Sequence, residues 1–240
     1  MRVNSTDLKN SFGKYLALVD KEDIIVTKNG HSVAKLTKYR EPEFTRVHEA
    51  SGTYTAARPV SYNQYQDLVN TSDQRYELID GEIYLLAAPG YSHQATVDEI
   101  FVQLYNFFKG KPCRALTAPL DVYLYGVASK FEEDPNVVQP DVLVICDEDK
   151  VNEDKYEGIP TLVVEVLSPS TKSKDMILKL NLYMKSGIKE YWIVDLEAKS
   201  VIQYGFSDER ELICAQTIRR DETIVSHAFP GLALQLDGFI

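Results

Sequence analysis

A chain of 240 residues with 44% hydrophobic content can bury one sizeable domain, or a small domain beside a medium one. No apolar run approaches the ~18 residues of a membrane span, and MRVNSTDLKN lacks an apolar signal core, so neither a membrane span nor export is expected and a cytoplasmic setting is. The net charge of −10 is uneven: residues 1–40 hold 8 Lys+Arg and 4 Asp+Glu, residues 41–240 hold 18 and 32, and the acidic body cannot bind nucleic acid by charge alone.

Three cysteines (Cys113, Cys146 and Cys214) have no CxxC spacing, so they are expected as buried thiols in a reducing compartment, neither a zinc site nor a disulfide frame. None of the four histidines pairs with another at ligand spacing.

After a short extended start, Ser5 or Thr6 can cap a helix, with Asp7 in its first turn. Leu8, Phe12, Leu16 and Val19 then recur at helical steps. Asp23–Thr27 is a strand by its β-branched content, Asn29-Gly30 a tight turn, and Ser32–Leu36 a returning strand. Forty residues in a β-α-β-β order bury too little to stand comfortably alone, so a homodimer is expected. VNSTDLKNSFGKYLALV followed by DIIVTKNGHSVAKL resembles the N-terminal region of prevent-host-death (Phd/YefM-type) antitoxins. That resemblance implies a dimeric, DNA-binding head over residues 1–40 and a possible toxin-like partner protein. Either the head only dimerises, or it keeps a DNA surface with Arg2, Lys9 and Lys14 as phosphate contacts.

Residues 41–60 carry two prolines, a glycine and no period, and read as a linker. Residues 61–240 read as one α/β domain with a mixed sheet. Ser61–Val69 is a short helix with Ser61 its cap. Arg75–Ala87 is a hairpin around Asp80-Gly81, and Ser92–Lys109 an amphipathic helix stopped by Gly110. Arg114–Thr117 and Asp121–Tyr125 are strands, Phe131–Asn136 and Asp147–Gly158 loops. Asp141–Cys146 and Thr161–Leu167 are buried strands; a helix capped by Ser170 or Thr171 then runs to Ser186. Glu190–Asp195, Ser200–Phe206, Glu211–Ile218 and Leu232–Leu236 complete the β-rich end.

Two carboxylates interrupt this pattern. Asp141 opens one buried strand and Glu165 sits inside LVVEVL, where a charge is costly unless paired, protonated or metal-bound. On neighbouring strands they can hold one Mg²⁺ (or Mn²⁺) against a phosphate, and Lys179 on the next helix can orient or help deprotonate a water. Asp175, Lys179 and Tyr183 are four apart and share a helix face. The bland alternatives are a strand-start cap for Asp141, a buried ion pair for Glu165, with Lys179 one candidate partner, and a solvated Lys179. His93 is either a helix-start polar contact or a substrate contact, and Tyr191 and Trp192 read as core. Lys172, Lys174, Lys185 and Lys189 are either a wet face or phosphate contacts.

PDVLVIC, LVVEVLSPST and KDMILKLNLYMKSGIKEYWIVD, with YELIDGEIY and SHQ upstream, resemble the Uma family of restriction endonucleases within the PD-(D/E)xK nuclease superfamily. The resemblance implies a restriction-endonuclease-like mixed sheet flanked by helices. It also implies a metal-dependent endonuclease acting on DNA, with Asp141 as the PD acid and Glu165 as the second acid. Leu167 stands where the superfamily has its lysine, and Lys179 matches a lysine moved to the helix. Glu77 matches a further acid that completes the metal site, with Glu82 its rival. The alternative is a non-enzymatic DNA-binding regulator carrying an inactive nuclease fold.

Overall fold

A computed structural model describes residues 1–10, 12–19, 21–28, 30–36, 47–48, 59–152, 155–168, 172 and 174–235. Asn29 of the expected turn, most of the expected linker and the expected caps Ser170 and Thr171 lie outside these residues, as does the side chain of Leu16. The chain divides into two compact units, Met1–Glu43 and Phe44–Ile240.

The first unit contains β1 (Arg2–Asn4), α1 (Ser5–Asn10), α2 (Phe12–Val19), β2 (Ile24–Lys28) and β3 (His31–Leu36). Strand β1 runs parallel to β2, and β3 returns antiparallel. Neither Ser5 nor Thr6 is the cap. Asn4 is, because its Oδ1 accepts the Thr6 amide at 2.9 Å. Val3, Ile24 and Val26 form the small core, with Leu8, Tyr15, Leu18, Val19 and Leu36 against it. Phe12, expected on the same stripe, is 49% exposed. Arg2, Lys9 and Lys14 are exposed.

The second unit begins with β4 (Val47–His48), a parallel addition to β6 within the stretch read as linker. Then come α3 (Tyr62–Thr71), β5 (Tyr76–Ile79), β6 (Glu82–Leu85), α4 (Tyr91–Phe108), β7 (Arg114–Thr117) and β8 (Asp121–Leu124). They are followed by β9 (Asn136–Val138), β10 (Val142–Ile145), β11 (Val151–Asn152), β12 (Lys155–Tyr156) and β13 (Leu162–Val166). A π-helix (Lys174–Lys179) leads into α5 (Leu180–Ser186). Strands β14 (Glu190–Asp195), β15 (Ser200–Phe206), β16 (Leu212–Arg219), β17 (Thr223–Val225) and β18 (Ala233–Gln235) close the chain.

Local chemistry explains several boundaries. Ser61 and Gln64 form a reciprocal capping box at the start of α3. Asp80 and Gly81 both take positive φ, the condition for the tight β5–β6 turn. A Cβ on Gly81 would lie 2.5 Å from Cβ of Pro59, so glycine is required there twice over.

The main sheet has the order β16-β15-β14-β13-β10-β7, with only β13 and β14 parallel. Its central strands β10, β13 and β14 are buried along their whole length because both faces are covered. Val142, Val144 and Val164 pack with Val97, Ile100, Leu104 and Phe108 of α4. Leu143, Ile145 and Val163 face the other way, toward Leu182 and Tyr183 of α5 and toward Ile79, Val122 and Val138. Those last three belong to a second sheet, β11-β12-β8-β9-β5-β6-β4, whose far face packs on Tyr65 of α3. Each fully buried aliphatic side chain contributes about 1.5–3 kcal/mol to holding these layers together.

Four expectations are corrected. Phe131–Asn136 and Asp147–Gly158 are expected as loops, yet Asn136 opens β9 and the second stretch supplies β11 and β12, strands too short to show a period. Thr223–Val225 is a further strand, paired with β18. The single helix expected before Ser186 starts with a π-helical turn. Finally, Cys113 and Cys146 form a disulfide. Arg114 pairs with Ile145 across β7 and β10, so the adjacent cysteines meet with Cα atoms 4.1 Å apart, a proximity their 33-residue separation conceals. Cys146 is exposed, and Cys214 is a half-buried thiol. Among the described residues no helix is long and apolar enough to cross a membrane.

Candidate active site

Strands β10 and β13 pair antiparallel with Val142 opposite Val164, so Asp141 and Glu165 are neighbours across the ladder. Asp141 Oδ2 accepts the Val166 amide at 2.8 Å, which fixes its carboxylate to the strand bearing Glu165. His93, from the first turn of α4, approaches the same oxygen through Nε2 at 3.2 Å. Burial disfavours the imidazolium, but the hydrogen bond and charge of Asp141 prevail and hold its pKa above the ordinary value.

Glu165 is buried, and its Oε1 accepts from Lys179 Nζ at 2.8 Å and Tyr183 OH at 2.7 Å. Lys179 Nζ also lies 2.8 Å from Glu77 Oε1 and 3.7 Å from Asp175 Oδ1. Glu77, wholly buried, takes a second cation at Oε2, where Lys174 Nζ stands at 2.5 Å, and Oε1 accepts the Gln139 amide at 3.0 Å. The expected face of Asp175, Lys179 and Tyr183 therefore exists, with Lys179 and Tyr183 converging on Glu165. Lys174 joins them from five residues upstream of Lys179. That spacing lies about 140° apart on an α-helix of 3.6 residues per turn, and the π-helical turn brings the two ammonium groups onto one carboxylate.

These partners set the charges. Burial would raise the Glu77 pKa, but Lys179 and Lys174 together hold it at about 2. Burial pushes Glu165 up to about 8; Lys179 opposes the shift, while Asp175, Asp141 and Glu77 add to it. Two acids thus share one lysine, and the acid with a second lysine remains the carboxylate. Burial works against the Lys179 ammonium, yet Glu165, Glu77 and Asp175 hold its pKa well above the usual lysine value. Burial and then Glu165 keep Tyr183 a neutral phenol.

His93, Gln139, Asp141, Glu165, Lys174 and Lys179 line one cavity of about 370 Å³. Leu167 lies in the core, and Lys179 enters from the helix. Glu82 lies two strand pairs nearer the turn than Tyr84, the partner of Glu77, and accepts a hydrogen bond from Tyr84 OH at 2.9 Å. Lys172 pairs with Asp195 at 2.9 Å, Lys189 pairs with Asp208 at 2.6 Å, and Lys185 is exposed. Lys174, grouped with them as either a wet face or phosphate contacts, lies largely buried against Glu77. Tyr191 and Trp192 are core, as expected.

Sequence reasoning missed the link from His93 to Asp141 and that from Lys174 to Glu77. The one signal for the second was a lysine five residues before Lys179, which α-helical periodicity discards. Among the described residues no three His, Cys, Asp or Glu side chains form a group arranged for a metal.

The family model described as "Uma2: Putative restriction endonuclease" matches residues 62–237. An uncharacterized protein of Synechocystis sp., slr1290, is 25% identical over 164 residues, which cover 68% of this chain and 81% of that protein. A crystal structure from Anabaena variabilis, described as a putative nuclease belonging to DUF820, superposes with a TM-score of 0.58 at 21% identity. The superposition covers 75% of this chain and 97% of that one, and the likeness is one of fold.

Proposed function

This chain belongs to the Uma2 family of restriction-endonuclease-like proteins, and from that premise we propose that it is a metal-dependent endonuclease hydrolysing phosphodiester bonds in DNA. Asp141 and Glu165 would hold Mg²⁺ or Mn²⁺. The donor set fits: two carboxyl groups on adjacent strands face a shared cavity, a cation binding there would displace the proton that Glu165 holds, and Mg²⁺ takes one or two carboxylates, with water and phosphate oxygens completing its shell. A cation there would supply charge against the phosphate and acidify a water.

The protein's own groups account for the rest. The Val166 amide and His93 orient Asp141. Lys179, held as an ammonium, is no proton acceptor; it steadies the attacking water and the negative charge that builds on the phosphate. Glu77, expected as a third metal ligand, has both oxygens engaged and serves instead to hold Lys179 beside Glu165. The observation that supports this reading most is the 2.8 Å contact between Lys179 and Glu165, made from a helix while Leu167 occupies the strand position.

The test is cleavage of supercoiled and linear DNA with Mg²⁺ or Mn²⁺, comparing the wild type with Asp141→Ala and Glu165→Ala. The wild type is expected to cut and both variants to fail. Equal cleavage by all three sinks the site.

For residues 1–40 the proposal is an antitoxin-like head that dimerises and contacts DNA phosphates through Arg2, Lys9 and Lys14, all exposed on a small core. Binding to the chain's own promoter should fall steeply with salt. Binding that ignores salt, or is absent at low salt, ends that reading.

A further inference from the structure

A second cavity, of about 440 Å³, opens beside Tyr62, Tyr123 and Phe131, within the ~300–1,000 Å³ range of ligand clefts. The three rings are half-buried and mutually inclined. Tyr62 meets Phe131 at 4.9 Å and 89°, Tyr123 meets Phe131 at 5.0 Å and 45°, and Tyr62 meets Tyr123 at 5.9 Å and 78°. Tyr62 OH donates to Tyr123 OH at 3.1 Å, which locks α3 to β8 at this corner. The rings therefore form walls around an opening and do not fill it.

The charges at its mouth cancel. Lys130 and Lys155 line it, and so do Glu132 and Glu157, with Lys155 and Glu157 paired at 2.8 Å. Lys155 Nζ lies 4.9 Å from the Tyr123 ring centroid, so a cationic guest would meet a cation already over that ring. A free anion would meet two glutamates. An uncharged planar ring suits the site better than either.

One hydrogen bond runs from the strand of Tyr123 to the wall of the acid cavity. Tyr123 stands two residues along β8 from Asp121, a distance of about 7 Å at the strand rise. Asp121 Oδ1 accepts from Gln139 Nε2 at 2.7 Å, and Gln139 lines the acid cavity. Among the described residues Gln139 Oε1 is buried with no hydrogen-bond partner, an acceptor on the wall of the acid cavity.

We propose that the Tyr62–Tyr123–Phe131 cavity takes an unstacked nucleobase from the strand whose phosphate enters the acid cavity, so that the substrate is engaged single-stranded at this point. The proposal rests on the nuclease reading and adds the state of its substrate. Base–aromatic stacking is tolerant of sequence because every base offers a π-face.

The test uses the full chain carrying Glu165→Gln, in EDTA, with a short fluorescein-labelled oligothymidylate and a duplex of mixed sequence as probes. Adding Tyr123→Leu should weaken oligothymidylate binding about 5- to 100-fold, as expected for losing one base–aromatic stack. Tyr123→Trp should restore it, and duplex affinity should stay unchanged. Unaltered oligothymidylate affinity in Tyr123→Leu overturns the proposal. So does equal loss on both probes, or a Tyr123-dependent site that takes a lysine-rich peptide in place of the oligonucleotide.

A second arm separates this failure from that of the nuclease reading. Otherwise wild-type protein and Tyr123→Leu are assayed with Mn²⁺ on bis(p-nitrophenyl) phosphate, which has no base. Equal hydrolysis by both, with unaltered oligothymidylate binding, defeats the base site alone. No hydrolysis of this ester or of DNA by the wild type defeats the nuclease reading, and the oligonucleotide arm still decides the cavity.

Discussion

Glu165 and Glu190 stand on adjacent parallel strands, both buried among aliphatic and aromatic side chains, and the protein treats them differently. Glu190 is surrounded by neutral donors. Its Oε1 accepts from Trp192 Nε1 at 2.7 Å and Gln203 Nε2 at 2.5 Å; its Oε2 accepts from Ser226 Oγ at 2.5 Å and the Ala228 amide at 3.0 Å. Glu165 has one phenol and one lysine that it shares with Glu77. An acid saturated by fixed neutral donors is a structural fastener. An acid with a shared cation, facing a cavity beside Asp141, keeps capacity for a further partner.

The largest expected effect tests the reactive side of this contrast. Glu165→Gln, Asp141→Ala and Lys179→Met should each lower kcat/KM for DNA cleavage by about 10³-fold or more, roughly 4 kcal/mol of transition-state stabilisation. Glu190→Gln should keep most of the activity per folded molecule. If the two glutamate variants lose activity alike, the contrast collapses.

The next effect belongs to the fastener. Glu190→Leu leaves four donors without their acceptor and should cost about 3–5 kcal/mol of unfolding free energy in a denaturant titration. Glu165→Gln should cost ~1 kcal/mol or less, because a group whose pKa stands near 8 is already protonated at neutral pH.

A smaller effect is visible in pH. The Glu165 pKa rises on folding from 4.5 to about 8, so the folded state binds the extra proton between those values. Its contribution is complete below pH 4.5 and drains away as pH rises toward 8, on the order of 2 kcal/mol after allowing for its coupling to Lys179. Glu77 has the opposite sign: lowered from 4.5 to about 2, it stabilises above pH 4.5, and that contribution is lost as pH falls toward 2. Metal-free wild type and Glu165→Gln, unfolded across pH 4–9, should differ in slope. Parallel curves would rule out a proton on Glu165.

Smallest is Lys174→Met, which removes one of the two cations on Glu77. Cleavage should fall about tenfold, with a stability loss of about 1–2 kcal/mol, because Lys179 remains on the same carboxylate.

These contrasts also show what was legible in the amino-acid order. Asp141 and Glu165 were visible because each interrupts an apolar run, and burying a charge is costly enough to need a reason. The Ser61 cap and the Asp80-Gly81 turn were visible because their chemistry is local. The second sheet was largely hidden, since β11 and β12 are two residues long and owe their existence to partners across the fold. The Cys113–Cys146 bridge depends on β7 and β10 being neighbours, which no local pattern states. Glu190 looked like an ordinary strand start, because its four donors come from β14, β15 and the segment after β17.

The π-helical turn at Lys174–Lys179 works as a phase shifter. A π turn amounts to an α-helix with one residue inserted. The turn presents Lys174 to Glu77 at its start and Lys179 at its end, and α5 then carries Leu182 and Tyr183 into the same layer, although an unbroken α-helix could not aim both lysines inward. Ile177, inside the turn, is 57% exposed and faces away from that layer. Lys179 and the packing face of α5 are therefore geared together, so any event that irons out this turn would move Lys174 off Glu77 without touching a strand.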